Sequence, residues 1–158
     1  MFVRYFLELP LPAERVEEAV TRSPDAWMPG LARETGDAGR RLLGEVGFGE
    51  RGRIDRTVEL RFGEPIRIPS KTILPIEWHA AQANGLFPAL EADLEVAPIG
   101  PHITQLALSA RYDPPLGTLG RAIDRALLHR VAEATLKDFL DRVAASLTAQ
   151  VTADAPSP

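Results

Sequence analysis

Cysteine is absent from all 158 residues, which excludes disulfide staples, thiolate nucleophiles and Cys-ligated metal centres in one step. Lysine is nearly absent: Lys71 and Lys137 stand among 18 basic residues, the other 16 being arginines scattered along the chain. With a formal charge of −4 and no basic cluster, the sequence lacks the electrostatic attraction that dominates nucleic-acid binding, so no nucleic-acid partner is expected. The three histidines, His79, His102 and His129, form no i,i+4 pair and have no carboxylate at a metal-binding spacing. Neither a zinc site nor any other cofactor is therefore expected. A G-x-S-x-G nucleophile elbow and a phosphate loop are also missing. No apolar run approaches the roughly 20 residues of a membrane-spanning helix. Met1 to Leu9 is apolar but short and interrupted by Arg4 and Glu8, which suits a strand better than a signal peptide. The cytoplasm is the expected compartment.

What is present is an ordinary globular composition, 45% apolar and 25% charged, in a length that fits one domain. That domain is expected over residues 1–150, with residues 151–158, rich in Ala, Pro and Ser, as a disordered tail. Phe2 to Leu9 alternates, with Val3, Tyr5, Leu7 and Leu9 on one face, and predicts a first strand. Pro12, Glu14 and the helical spacing of Val16, Ala19 and Val20 predict a short helix. A second follows through Trp27, Met28 and Leu31, weakened by Pro29-Gly30. From residue 40 to residue 113 the period is two. Leu42, Val46 and Phe48 suggest one strand, and Ile54, Val58, Leu60 and Phe62 the inner face of the next. Ile66 and Ile68 resume that parity, and Leu74, Ile76 and Trp78 line a further strand in which Pro75 implies an edge or a bulge. Leu90, Ala92, Leu94 and Val96 alternate with Glu91, Asp93 and Glu95. Leu106, Leu108, Ala110 and Tyr112 share one side of the last strand. Short turns between consecutive strands indicate an antiparallel meander.

After Pro114-Pro115 the period becomes helical to about residue 149, roughly 50 Å at 1.5 Å per residue. Its apolar residues form two rows four apart: Leu127, Val131, Thr135, Phe139, Val143 and Leu147 beside Leu128, Ala132, Leu136, Leu140 and Ala144. Such rows drift about 40° per step, so the stripe winds around the helix as packing on a twisted sheet requires. Leu116, Leu119 and Ile123 extend it into the first turns. Gly117 and Gly120 there are read as close helix-to-sheet contact, with backbone room at a pocket mouth as the alternative.

Arg56 shares parity with Ile54, Val58, Leu60 and Phe62. Either the strand end is exposed and the side chain snorkels, or the guanidinium anchors a ligand carboxylate or oxyanion at an apolar wall. Glu77, Arg111 and His79 alternate outward. Trp27, Phe62, Trp78, Phe87 and Tyr112 could line a pocket or simply fill the core.

The order of a strand, two short helices, five or six antiparallel strands and a long C-terminal helix resembles the helix-grip fold of the START-like superfamily. The segment Ala110-Arg111-Tyr112-Asp113-Pro114-Pro115-Leu116-Gly117-Thr118-Leu119-Gly120-Arg121, with Asp124-Arg125 and Leu127-Leu128, resembles the strand-to-helix junction of small polyketide cyclase/dehydrase-like proteins. The resemblance implies an α+β domain in which a curved sheet of six or seven strands closes on the helix around a deep cavity. The expected occupant is a hydrophobic or amphipathic small molecule, held by Arg56, Phe62, Leu74, Ile76, Trp78, Leu106, Leu108, Tyr112, Leu119, Ile123 and Leu127. A non-catalytic carrier is the first reading. A cyclase, aromatase or dehydratase is the second, and a regulatory module with a filled core the third.

Overall fold

A computed structural model describes residues 2–22, 24–27, 58–80, 90–112 and 125–154. Along the chain these form β1 (Phe2–Leu9), α1 (Ala13–Arg22), α2 (Pro24–Trp27), β2 (Val58–Phe62), β3 (Ile66–Ile68), β4 (Lys71–Ala80), β5 (Leu90–Gly100), β6 (Ile103–Tyr112) and α3 (Arg125–Ala153). The expected strand around Leu42 to Phe48 and the expected helix start at Leu116 to Ile123 lie outside the described residues. The strands make one curved antiparallel sheet in the order β1-β6-β5-β4-β2, with β3 also pairing β4. This is the expected α+β helix-grip arrangement.

Strand registers align the inward side chains in rows across the sheet. One row is Leu7, Leu106, Val96 and Thr72, and the next is Tyr5, Leu108, Leu94 and Leu74. A third is Val3, Ala110, Ala92, Ile76 and Phe62. A fourth runs through the backbone positions of Tyr112, Leu90, Trp78 and Leu60. The opposite face is charged, with Arg111, Glu91, Glu77 and Arg61 aligned as one row. Glu95 on that face takes Arg4 at 3.2 Å and Lys71 at 2.8 Å. One apolar face and one polar face is the arrangement strict period-two patterning demands.

The helix α3 covers the apolar face, running closest to β1 and touching α1, β6 and α2. Leu136, Phe139, Leu140, Val143, Ala144, Leu147 and Val151 are buried along it. From Leu136 onward the two rows expected from sequence are thus the stripe that faces the sheet. Lys137 caps Tyr5 of β1 from above, 5.4 Å from the ring centre, while the Tyr5 hydroxyl lies 3.4 Å from Asp141. A hydrogen bond to the Asp141 carboxylate, 2.5 Å away, and its charge, with a smaller contribution from the Tyr5 hydroxyl, raise the Lys137 pKa above the ordinary lysine value. At the far end Arg15 of α1 donates to the Val151 carbonyl at 2.9 Å. That bond, with the burial of Val151, explains why the helix reaches Ala153 instead of ending near residue 149. Buried Thr104 donates to the Leu11 carbonyl at 2.6 Å, tying β6 to the turn that leads into α1.

One local expectation changes and one is resolved. Ile66 and Ile68 do not continue the inward face: they are 51% and 43% exposed, because Gly63, Glu64 and Pro65 place three residues opposite Leu74 and Pro75. An irregularity of this kind breaks the inward alternation between flanking segments. Pro75 marks this bulge and not an edge, since β4 lies inside the sheet. Its carbonyl accepts from the Gly63 amide at 2.9 Å, so its missing N–H faces the interruption, where no ladder bond is forfeited. A β-carbon at Gly63 would stand 3.0 Å from the Pro75 ring, which accounts for glycine at that position.

Leu140, a fully buried residue of α3, is expected to cost about 2–5 kcal/mol on Leu140→Ala. Ile66→Ala, on the exposed side of the bulge, is expected to cost under about 0.5 kcal/mol. Urea titration of both variants measures the contrast; equal losses would mean that β3 faces inward after all.

Candidate functional site

The apolar face is not closed to the same degree along its length. Leu94 and Leu106, at its centre, are fully buried, and Leu74 and Leu108 nearly so. Away from this centre access rises on both sides: toward the end where β6 leads on to α3, Ala92 is 7% and Trp78 8% exposed and Phe62, Leu90 and Ala132 are partly exposed, and on the β1 and α1 side Tyr5, Leu7, Leu11 and Ala19 are partly exposed, all still touching the core. Two neighbouring alanines explain part of this gradient. Ala110 and Ala92 sit opposite each other in the third row, between larger Val3 and Ile76, so the sheet surface dips there.

Aromatic rings surround the more accessible end. Trp78 meets Phe139 of α3 edge to face at 6.1 Å between ring centres, and Trp27 of α2 meets Phe62 of β2 in the same manner at 6.0 Å. The first pair spans from sheet to long helix, the second from short helix to sheet. Trp27 is buried, yet its indole Nε1 has no hydrogen-bond partner among the described residues.

Of the residues expected from sequence at a binding site, Phe62, Leu74, Ile76, Trp78, Leu106 and Leu108 come together in one hydrophobic cluster under α3. Leu74, Leu106 and Leu108 form its closed base; Phe62 and Trp78 stand at its accessible end. Tyr112 closes β6 opposite Leu90, and Leu127 falls in the first turn of α3. Arg56, Leu119, Ile123 and Phe87 lie outside the described residues. Glu77 and Arg111 are exposed on the charged face, as their alternation predicted. His102 is exposed in the β5–β6 turn, and His129 lies 3.2 Å from Glu133 one helical turn away. Sequence reading passed over Ala92 and Leu90 as ordinary core, although the Ala92 and Ala110 positions would have shown a dip once the strand register was known.

Two further concavities exist. One, of about 520 Å³, lies at the opposite end of the sheet between the start of α1 and the β3–β4 and β5–β6 turns, lined by Pro12, Glu14, Glu17, Lys71, Thr72 and Pro98 among others. The other, of about 250 Å³, is on the charged face beside Phe2, Glu77, Glu91, Ser109 and Arg111. Both have charged side chains in their lining, and neither was anticipated. Among the described residues no group of three His, Asp or Glu side chains is placed to hold a metal ion. No described helix is long and apolar enough to cross a membrane.

Because Phe62 covers Trp27, Phe62→Ala is expected to admit water to the indole and shift tryptophan emission to longer wavelength. The same change in a Trp27→Phe background should leave the emission maximum in place. A shift that persists without Trp27 would contradict this packing.

No family model matches the sequence, and no curated relative matches it either. Likeness appears in three dimensions. The Zhui aromatase/cyclase of a Streptomyces species superposes with a TM-score of 0.53 at 12% identity, over 99% of each chain. A START superfamily protein from Mycobacterium smegmatis gives 0.51 at 13% identity, over 94% of this chain and 98% of that one. A protein from Thermus thermophilus gives 0.51 at 16% identity, over 95% and 99%. At such identities the likeness concerns the backbone and not the chemistry, and the described residues have the helix-grip fold seen in these structures.

Proposed function

We propose that this protein binds a hydrophobic or amphipathic small molecule between the sheet and α3, at the end marked by Trp78, Ala92, Phe62 and Leu90. The observation that carries the reading is the incomplete burial beside Trp78 of an otherwise apolar face: Leu94 and Leu106 at its centre are closed, whereas Ala92 and Trp78 keep slight access and Phe62 and Leu90 are partly exposed. An apolar face that is closed at its centre and only partly buried at its margin leaves surface for a guest to cover. Burying that surface is favourable by about 25 cal/mol per Å² of apolar area removed from water.

A carrier is preferred to a cyclase or dehydratase. Acid–base work on a carbonyl substrate needs polar side chains converging on the reacting atoms. Among the inward side chains described, Tyr5, Thr72 and Thr104 sit toward β1 or the α1 end, and near Trp78 the inward register position of Tyr112 and the Trp27 indole N–H are the polar groups, with no carboxylate or histidine beside them. The similarity to an aromatase/cyclase backbone adds fold, not a reaction.

Two substitutions test the reading. Ala92→Leu is expected to fill the open end: the variant folds with a stability change under about 1.5 kcal/mol, as for added volume that finds room. It should bind 1-anilinonaphthalene-8-sulfonate at least about tenfold more weakly, a difference of about 1.4 kcal/mol. The same change at its neighbour Ala110, 1% exposed, should instead cost about 1–3 kcal/mol from overpacking. Fluorescence titration and urea denaturation read both. Wild-type protein that binds neither this dye nor any co-purifying lipid in native mass spectrometry would point to the filled interaction module instead.

A further inference from the structure

Trp27 is 2% exposed and its Nε1 has no hydrogen-bond partner among the described residues. Buried indole N–H groups ordinarily find an acceptor, because a donor removed from water and left unpaired is unfavourable. The side chain is also not needed for its ring alone. Its contact with Phe62 is an edge-to-face pair, which phenylalanine could supply without a donor. Trp27 ends α2, which touches α3, and Phe62, which it covers, belongs to the same inward row as Ala92 and Ile76. The ring that carries the unsatisfied donor therefore packs beside the row of Ala92 and Ile76, with the nitrogen itself closed to solvent.

We infer that the Trp27 Nε1–H is the polar contact of the binding site and donates to an acceptor oxygen, a carbonyl or ether, on an otherwise apolar ligand. This rests on the binding reading above and narrows it to amphipathic guests that carry an acceptor and need no charge. A donor in an apolar surround discriminates by what it leaves unpaired: a hydrocarbon of the same shape buries equal area but leaves the N–H without a partner. No ionised group is required for this selectivity, which agrees with the apolar character of the rows nearby.

The test uses the full chain and two probes of nearly equal shape, 2-acetylnaphthalene with a carbonyl and 2-isopropylnaphthalene without one. Calorimetric titration of wild type should favour the ketone, and Trp27→Phe should weaken ketone binding about three- to tenfold, the range of one neutral hydrogen bond. Binding of the hydrocarbon should stay within about twofold, since the area it covers is kept. In ¹H–¹⁵N spectra of wild type, the Trp27 indole resonance should move downfield with the ketone and not with the hydrocarbon. Trp78→Phe identifies that resonance, because the chain holds two tryptophans. Equal loss of both probes, no loss of either, or an indole resonance that responds alike to both would overturn the assignment while leaving the pocket intact. Wild type that binds neither probe would overturn the pocket and the assignment together. The spectra decide the matter even if Trp27→Phe does not fold.

Discussion

A helix of 29 residues with a winding apolar stripe must bury that stripe, and in this chain the surface available is the inward face of a six-stranded sheet. The rest of the architecture follows from that one contact. Helices in proteins gain most of their stability from packing such an apolar face and little from propensity. The sheet in turn cannot leave rows of Leu, Ile and Val in water. Because the stripe drifts around the helix as the sheet twists beneath it, the two surfaces match well over part of their length and diverge over the remainder. Side-chain size then decides where they meet. Leucines of the sheet close the core with Leu140, Val143 and Leu147 beside β1 and β6, whereas paired alanines and the ends of β2 and β4 leave it less complete near Trp78.

Polar contacts hold the helix at its closed end. Tyr5, Lys137 and Asp141 pin its middle to β1, and Arg15 pins its last turn to α1. At the more accessible end the sheet meets α3 through rings, Trp78 on Phe139. Rings can slide and re-pack at lower cost than a charged cluster can be broken, so the tolerance needed for a guest is concentrated where the guest would sit. Trp27, carried by a four-residue helix, packs an indole with an unpaired buried donor against Phe62.

Much of the fold was legible in residue order. Alternation identified β1, β4, β5 and β6 with their inward residues, the period change after Pro114-Pro115 announced the long helix, and from Leu136 onward the two rows of that helix proved to be its buried side. Parity failed where the chain departs from strict pairing. Three residues from Gly63 to Pro65 face two across the ladder, so Ile66 and Ile68 turn outward although their spacing from Phe62 places them inward. Pro75 signalled an irregularity but not which kind, since an edge and an internal bulge both spare a proline its missing donor. The candidate site was legible only in part. Trp78 and Phe62 could be assigned to the inward face, but whether an inward face is filled depends on which side chains stand opposite one another, and that is a property of register. The dip at Ala92 and Ala110 and the unpaired indole of Trp27 exist only once strands are paired and α2 is docked.

The central claim is that unoccupied apolar room lies between sheet and helix beside Trp78. Xenon enters dry apolar cavities and is located directly by anomalous diffraction, so crystals of the protein pressurised with xenon test it with no assumption about the natural guest. The account predicts a xenon atom in van der Waals contact with Trp78, Ala92 and Phe62. Pressurised crystals with no xenon between the sheet and α3 would contradict it.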